Sequence, residues 1–108
     1  MAEFDKSSAN ARLEILNGGF EGMAYDLNTE EIVIGRNPTT DITLLDEGIS
    51  REHAVIHYDE DALGYVIEDL QSTNGTRLNG KRIRSAPLNE GDEIQIGQTM
   101  FRFVWVKE

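Results

Sequence analysis

Two arginines, several hydroxyls and several side-chain amides fall in three short polar stretches of this 108-residue chain. The first stretch is Gly35-Arg36-Asn37. The second is Ser50-Arg51-Glu52-His53. The third is Ser72-Thr73-Asn74-Gly75-Thr76, followed by Asn79-Gly80. Arginine presents a rigid fork of donors that matches two oxygens of a carboxylate or phosphate. Hydroxyls and backbone N–H groups can satisfy the remaining oxygens. An Asn amide both donates and accepts, so it suits the C=O and N–H of an extended peptide. The set is suited to binding an oxyanion and a peptide backbone, and it contains no obvious base for chemistry.

Catalytic and metal readings of the same residues are weaker. His53 and His57 are four apart, a zinc spacing on a helix, but HAVIHY is rich in β-branched and aromatic residues and reads as a strand. Four residues along a strand span about 13 Å at ~3.3 Å each. Both imidazoles would have to lie ~2.1 Å from one metal, so the pair cannot chelate alone. Ser50 lies three before His53, but Gly48-Ile49-Ser50-Arg51-Glu52 is not a G-x-S-x-G elbow and no helix follows. No G-x-x-x-x-G-K-[ST] loop is present, and no pair of carboxylates stands out among the scattered acidic residues.

The elements that must position these residues are short strands. Hydrophobic residues make up 39% and charged residues 28%, a globular balance in a chain of one domain's length. That length excludes a large catalytic cleft between two domains. Leu13 and Ile15 alternate with polar neighbours, and Asn17-Gly18-Gly19 makes a turn into a return strand from Gly22 to Leu27. Ile32 and Ile34 lead to Gly35, and Pro38 ends that strand because it cannot donate to a ladder. His53–Tyr58 and Gly64–Asp69 are the next strands, with Ala54, Ile56 and Tyr58 on one face. Asn79-Gly80 is a two-residue hairpin signal. Ile94-Gln95-Ile96 then turns at Gly97-Gln98 into a long final strand, with Phe101, Phe103 and Trp105 facing one way. No stretch carries helical periodicity. Turns every 8–12 residues predict an antiparallel β-sandwich or barrel, whose loops gather at its two ends.

Charge and composition narrow the partners. Ten Lys and Arg against twenty Asp and Glu give a net charge of −10, which argues against a general nucleic-acid or anionic-membrane binder. With no Cys there is no disulfide framework and no thiolate zinc site. This fits a reducing, cytoplasmic setting. The longest apolar run, Phe103–Val106, is far short of a membrane span. MAEFDKSSAN has no apolar h-region and reads as a flexible tail of ten residues ahead of a domain over 11–108.

The ordered set carries a resemblance. G-R, then S-x-x-H about fifteen residues on, then S-T-N-G-T and N-G about twenty beyond, resembles a forkhead-associated (FHA) domain over residues 12 to 106. The resemblance implies an all-β, antiparallel sandwich of about eleven strands, FHA/SMAD-like, whose loops at one end bind phosphothreonine in an extended peptide of a partner. It implies a non-enzymatic interaction module downstream of a Ser/Thr kinase, with no cofactor and no metal. Arg36 resembles the arginine that contacts the phosphate, and Ser50 the serine that donates its hydroxyl to it. Asn74 resembles the asparagine that holds the peptide main chain. Thr73 is placed for a further phosphate contact or for a turn alone, and Arg51 for the phosphate or for solvent. Gly35, His53, Gly75 and Asn79 are the structural support, Asn79 as a turn former.

Four further expectations follow. Some FHA domains carry an arginine two residues before the serine, which selects an acidic residue three positions after the phosphothreonine. Gly48 stands there in this chain, so a small or apolar preference, motivated by Gly48 and Ile49, is expected instead. Asp46 and Glu47 should repel acidic residues beside the phosphothreonine. Arg77, Lys81, Arg82 and Arg84 form either an ordinary solvated hairpin or an extension of a basic surface toward the peptide. The domain is expected to be a monomer. The alternatives are an FHA-like domain that binds without phosphate and, from another class, a small β-fold hydrolase.

Overall fold

The computed structural model describes residues 11–27 and 29–106; the expected tail over 1–10 lies outside them. Eleven strands follow in order: β1 (Ala11–Ile15), β2 (Ala24–Leu27), β3 (Glu31–Gly35), β4 (Ile42–Thr43), β5 (Ala54–Asp59), β6 (Gly64–Asp69), β7 (Thr76–Leu78), β8 (Lys81–Ile83), β9 (Ser85–Pro87), β10 (Glu93–Ile96) and β11 (Thr99–Trp105). A single 3₁₀ turn, Gly18–Phe20, lies between β1 and β2. None of the described helical residues forms a span long and apolar enough to cross a membrane.

The strands form two sheets packed face to face. One has the order β2-β1-β11-β10-β7-β8 and the other β4-β3-β5-β6-β9. Every pairing is antiparallel except β3 with β4, which is parallel, Ile34 opposite Ile42. Period-two alternation sends one face of each strand inward. Leu13, Ile15, Ile34, Ile56, Ile67, Ile94, Ile96, Phe101 and Phe103 fill the space between the sheets, each at most 3% exposed. Burying each such side chain contributes about 1.5–3 kcal/mol.

The two ends of the sandwich differ. At the basal end, Tyr65 meets Tyr58, Phe103 and Trp105 with ring centroids 5.3–5.9 Å apart. Its hydroxyl donates to Leu27 O at 2.6 Å, and burial pushes its pKa up, so it stays a donor. Ala11 and Trp105 also face each other there, at the start of β1 and the end of β11. The β7–β8 hairpin turns at this end too. Asn79 and Gly80 both have positive φ, 51° and 86°, the two left-handed residues that a type I′ turn requires. At the apical end, β3 stops, β5 starts, β6 stops and β7 starts. The three polar stretches singled out in the sequence are the loops that join them.

Candidate functional site

Close backbone approach brings the first two loops together. Arg36 N donates to Ser50 O at 3.0 Å, and Asn37 N to Arg51 O at 3.1 Å. Gly35 makes this approach possible. A Cβ on residue 35 would fall against the Arg51 carbonyl oxygen, 2.8 Å from its carbon and 3.0 Å from Glu52 Cα. Beneath them, Ile49 is buried in the core and fixes the chain between β4 and β5.

His53 joins the second loop to the third. It is fully buried. Ser50 N donates to its Nδ1 at 3.1 Å, and its Nε2 lies 2.8 Å from Gly75 O. An Nδ1 that accepts leaves the proton on Nε2, which donates to Gly75. Both ring nitrogens are thus spent on backbone groups. Neither serves the Ser50 hydroxyl, so Ser50 and His53 do not form a nucleophile and base, and the hydrolase alternative loses its dyad. The second histidine goes elsewhere: His57 Nε2 lies 3.2 Å from Glu68 on the neighbouring strand.

The third loop is folded around Asp69, a residue that sequence reasoning passed over as the end of a strand. Asp69 Oδ1 accepts from the hydroxyls of Ser72 and of Thr76, the latter at 2.7 Å, and Oδ2 accepts from Ser72 N at 3.0 Å. Ser72 Oγ in turn accepts from Gly75 N at 2.9 Å. Burial opposes the charge on Asp69, but these donors outweigh it, and its pKa lies below the ordinary carboxylate value. An acidic residue followed three positions later by Ser, before Gly, was the available signal for such a capped turn.

Asp69→Asn is therefore expected to destabilise the domain by about 1–3 kcal/mol near neutral pH, because the carboxylate's donors lose a charged acceptor. The folded state lowers the Asp69 pKa, so its contribution is present above about pH 4 and fades as pH falls through the lowered value. Thermal unfolding of both proteins from pH 7 to pH 2 checks this. The gap in Tm should close toward acid.

The outward-facing groups converge. Thr73 N donates to Ser50 Oγ at 3.1 Å, which occupies one lone pair and leaves the Ser50 hydroxyl proton to be donated. Arg36 Nε donates to Ile49 O at 3.0 Å. Its two Nη groups have no protein partner among the described residues. Arg36, Asn37, Pro38 and Arg51 line a shallow cavity of about 310 Å³. Asn74 Nδ2 donates to Gly48 O at 2.9 Å, bridging the loops and leaving its Oδ1 as an acceptor at the rim. Arg36, Ser50, Arg51, Thr73 and Asn74 thus meet at one end of the sandwich, held by Gly35, His53 and Gly75.

Residues 32–97 match the model of the FHA domain. The chain belongs to the FHA family. This FHA domain is similar to the oxoglutarate dehydrogenase inhibitor of Corynebacterium jeikeium (strain K411), 38% identical over 97 residues that cover 90% of this chain and 65% of that protein. Its fold matches a solved structure reported as "Structural and functional analysis of phosphothreonine-dependent FHA domain interactions", with TM-score 0.82 and 29% identity over 93% of this chain and 100% of that one. It also matches Mycobacterium tuberculosis EmbR in complex with a low-affinity phosphopeptide, with TM-score 0.82 and 36% identity over 93% of this chain and 25% of that one. The chain spans less than two thirds of the length of the curated relatives it matches.

Two sequence expectations change in this FHA domain, and a third residue gains a structural role. Asn79 sits at the basal end of β7, away from the recognition loops. There it accepts from Glu93 N at 2.9 Å and donates to Asp92 Oδ1 at 3.0 Å, which supports the register of β7 with β10. Ile49 offers a peptide no side chain, because it points into the core. Asp46 shapes its own loop: its carboxylate accepts from Gly48 N at 2.9 Å and from Gln98 N at 2.8 Å. Those two backbone donors lower its pKa.

Proposed function

We propose that this FHA domain recognises a phosphothreonine in an extended segment of a partner protein, phosphorylated by a Ser/Thr kinase, and that it acts by binding and not by catalysis. The observation that carries the reading is the pair of arginines, Arg36 and Arg51, that line one cavity, with the Ser50 hydroxyl of the second loop held by Thr73 N of the third. A phosphothreonine brings about −1.5 to −2 charges and three acceptor oxygens. Arg36 would take two of these oxygens through its Nη groups, and Ser50 Oγ–H a third. Arg51 adds positive charge at the cavity wall. Thr73 acts through its N–H, which orients Ser50, and through its exposed side chain. Asn74 holds the peptide backbone with its Oδ1 and its second amide proton. Gly35, His53 and Gly75 keep the three loops in register.

The net charge of −10 does not oppose this role. At physiological salt the Debye length is about 8 Å, so remote carboxylates are screened, while the arginines act at contact distance. The similarity to an oxoglutarate dehydrogenase inhibitor of Corynebacterium jeikeium and to glycogen accumulation regulators of Mycolicibacterium smegmatis and Mycobacterium tuberculosis supports a regulatory role for the domain.

Calorimetric titration with a degenerate phosphothreonine peptide pool, its unphosphorylated twin and a phosphoserine version tests the reading. Binding of the phosphothreonine pool alone is expected. Equal binding of the unphosphorylated pool would replace it with a phosphate-independent interface. The same titration run from pH 7.5 to pH 5 gives a second check. Affinity should fall toward acid, because the phosphate takes up its second proton near pH 6 and loses charge.

A further inference from the structure

The arginines of the six-stranded sheet are placed in two different ways. Arg12 lies directly opposite Asp26 on β2 and pairs with it at 3.1 Å. Arg102 lies opposite Glu93 on β10 and pairs with it at 3.5 Å. On β7 and β8, by contrast, Arg77 lies directly opposite Arg82. Like charges directly opposite one another destabilise a strand pair. An ordinary solvated hairpin in a chain with twenty acidic residues would put a carboxylate there. Among the described residues, none of Arg77, Arg82 and Arg84 forms an ion pair.

The two facing arginines diverge. Arg77 reaches back toward the basal turn, with Nη1 3.5 Å from Gly80 O. Arg82 reaches the apical end, where its guanidinium carbon lies 2.8 Å from where a Cβ on Gly75 would sit. Arg84 joins it there. It sits where the chain crosses from β8, at the edge of one sheet, to β9, at the edge of the other, and its carbonyl accepts from Asp69 N at 2.8 Å. A cavity of about 530 Å³ opens between them, lined by Asp69, Gln71, Ser72, Arg82, Ile83 and Arg84. Asp69 in that lining keeps its charge while it accepts from Ser72 and Thr76, but among the described residues it forms no ion pair with Arg82 or Arg84.

The 70–75 loop lies between this cavity, which Gln71 and Ser72 help to line, and Ser50 of the second loop. Thr73 N reaches Ser50 on one side, and Arg82 lies over Gly75 on the other. We propose that Arg82 and Arg84 form a second anion subsite that takes a negatively charged side chain of the same bound peptide, two to four residues from the phosphothreonine. An extended chain rises ~3.3 Å per residue, so two to four residues reach about 7–13 Å from the phosphothreonine. The inference rests on the phosphopeptide reading above. The shared chemistry is an exposed anion, either the carboxylate of an acidic residue or a second phosphate.

The test uses a phosphothreonine peptide pool free of other acidic residues as the parent. Each flanking position from four before to four after is then fixed in turn as Glu or as phosphothreonine. Competition anisotropy is measured with the wild type, with the double variant Arg82→Gln/Arg84→Gln, and with Arg36→Ala. At one or two positions the wild type should gain about 5- to 30-fold over the parent, the range of an exposed charge-assisted contact. The double variant should lose that gain while binding the parent as the wild type does. Arg36→Ala should lose both. A gain from Glu, from phosphothreonine or from both supports the subsite and identifies its ligand. A flat series, or a gain that survives in the double variant, overturns the subsite alone. Failure of the wild type to bind even the parent overturns the phosphopeptide reading and the subsite with it.

Discussion

Arg36→Ala should weaken binding of a phosphothreonine peptide by about 10- to 150-fold, the value of one hydrogen bond to a charged group at ~1.5–3 kcal/mol. Two features place the effect at the upper end. The Nε of Arg36 is already bonded to Ile49 O, so the guanidinium is held in place before any ligand arrives. Its free edge is the fork that matches two phosphate oxygens. Arg36→Lys should recover little of the loss. An ammonium supplies charge but neither the fork nor the Ile49 bond in the same geometry. Calorimetry on all three proteins, with circular dichroism to confirm folding, measures it. An Arg36→Ala protein that binds as well as the wild type would move the phosphate elsewhere, and Arg51 would be the next residue to remove.

The second large effect is on the scaffold. Gly35→Ala is expected to destabilise the domain by about 3 kcal/mol or more, the upper range for an added methyl with nowhere to go. The obstruction at this position is backbone from the neighbouring loop, Arg51 and Glu52, and not the end of a flexible side chain. Relief requires the first two loops to part. That breaks the Arg36–Ser50 and Asn37–Arg51 backbone bonds and spreads the phosphate cavity. Tm should fall by about 12–24 °C at 4–8 °C per kcal/mol, and peptide binding should fall with it. Gly48→Ala is the control. Its Cβ would meet only the side chains of Asp46 and Asn74, at 3.5 and 3.6 Å, which is ordinary contact. Urea unfolding should find Gly48→Ala within about 0.5 kcal/mol of the wild type. Equal losses at the two glycines would remove close packing as the reason for Gly35.

The strands that could be read from sequence are those with local alternation. Leu13 and Ile15, Ile32 and Ile34, Ala54 and Ile56, and Phe101 and Phe103 each announce an inward face without reference to the rest of the fold. β4 and β9, of two and three residues, carry no such pattern. β4 exists because Ile42 finds Ile34 in parallel register, a pairing between residues eight apart that no local rule supplies. The loops divide in the same way. The residue types of Arg36, Ser50 and Asn74 marked three loops that the fold does bring together at one end, and that much was legible from their donors and spacing. Asp69 offered only its spacing to Ser72, because the remaining donor, Thr76, meets it only once the 70–75 loop has closed. Asn79 misled for the opposite reason. Its turn chemistry was legible, but nothing in N-G says at which end of a strand the turn will fall.

One consequence of the strand directions concerns tethering. Ala11 and Trp105 sit side by side at the basal end, across the sandwich from the recognition loops. A sensor surface or a fused neighbour attached at these two residues is anchored at the end opposite the phosphate cavity. Such attachment would change the effective concentration of a phosphorylated segment without changing any contact to it. The length of a linker at the base would then set how often the loops are occupied, independently of the contacts made at the loops themselves.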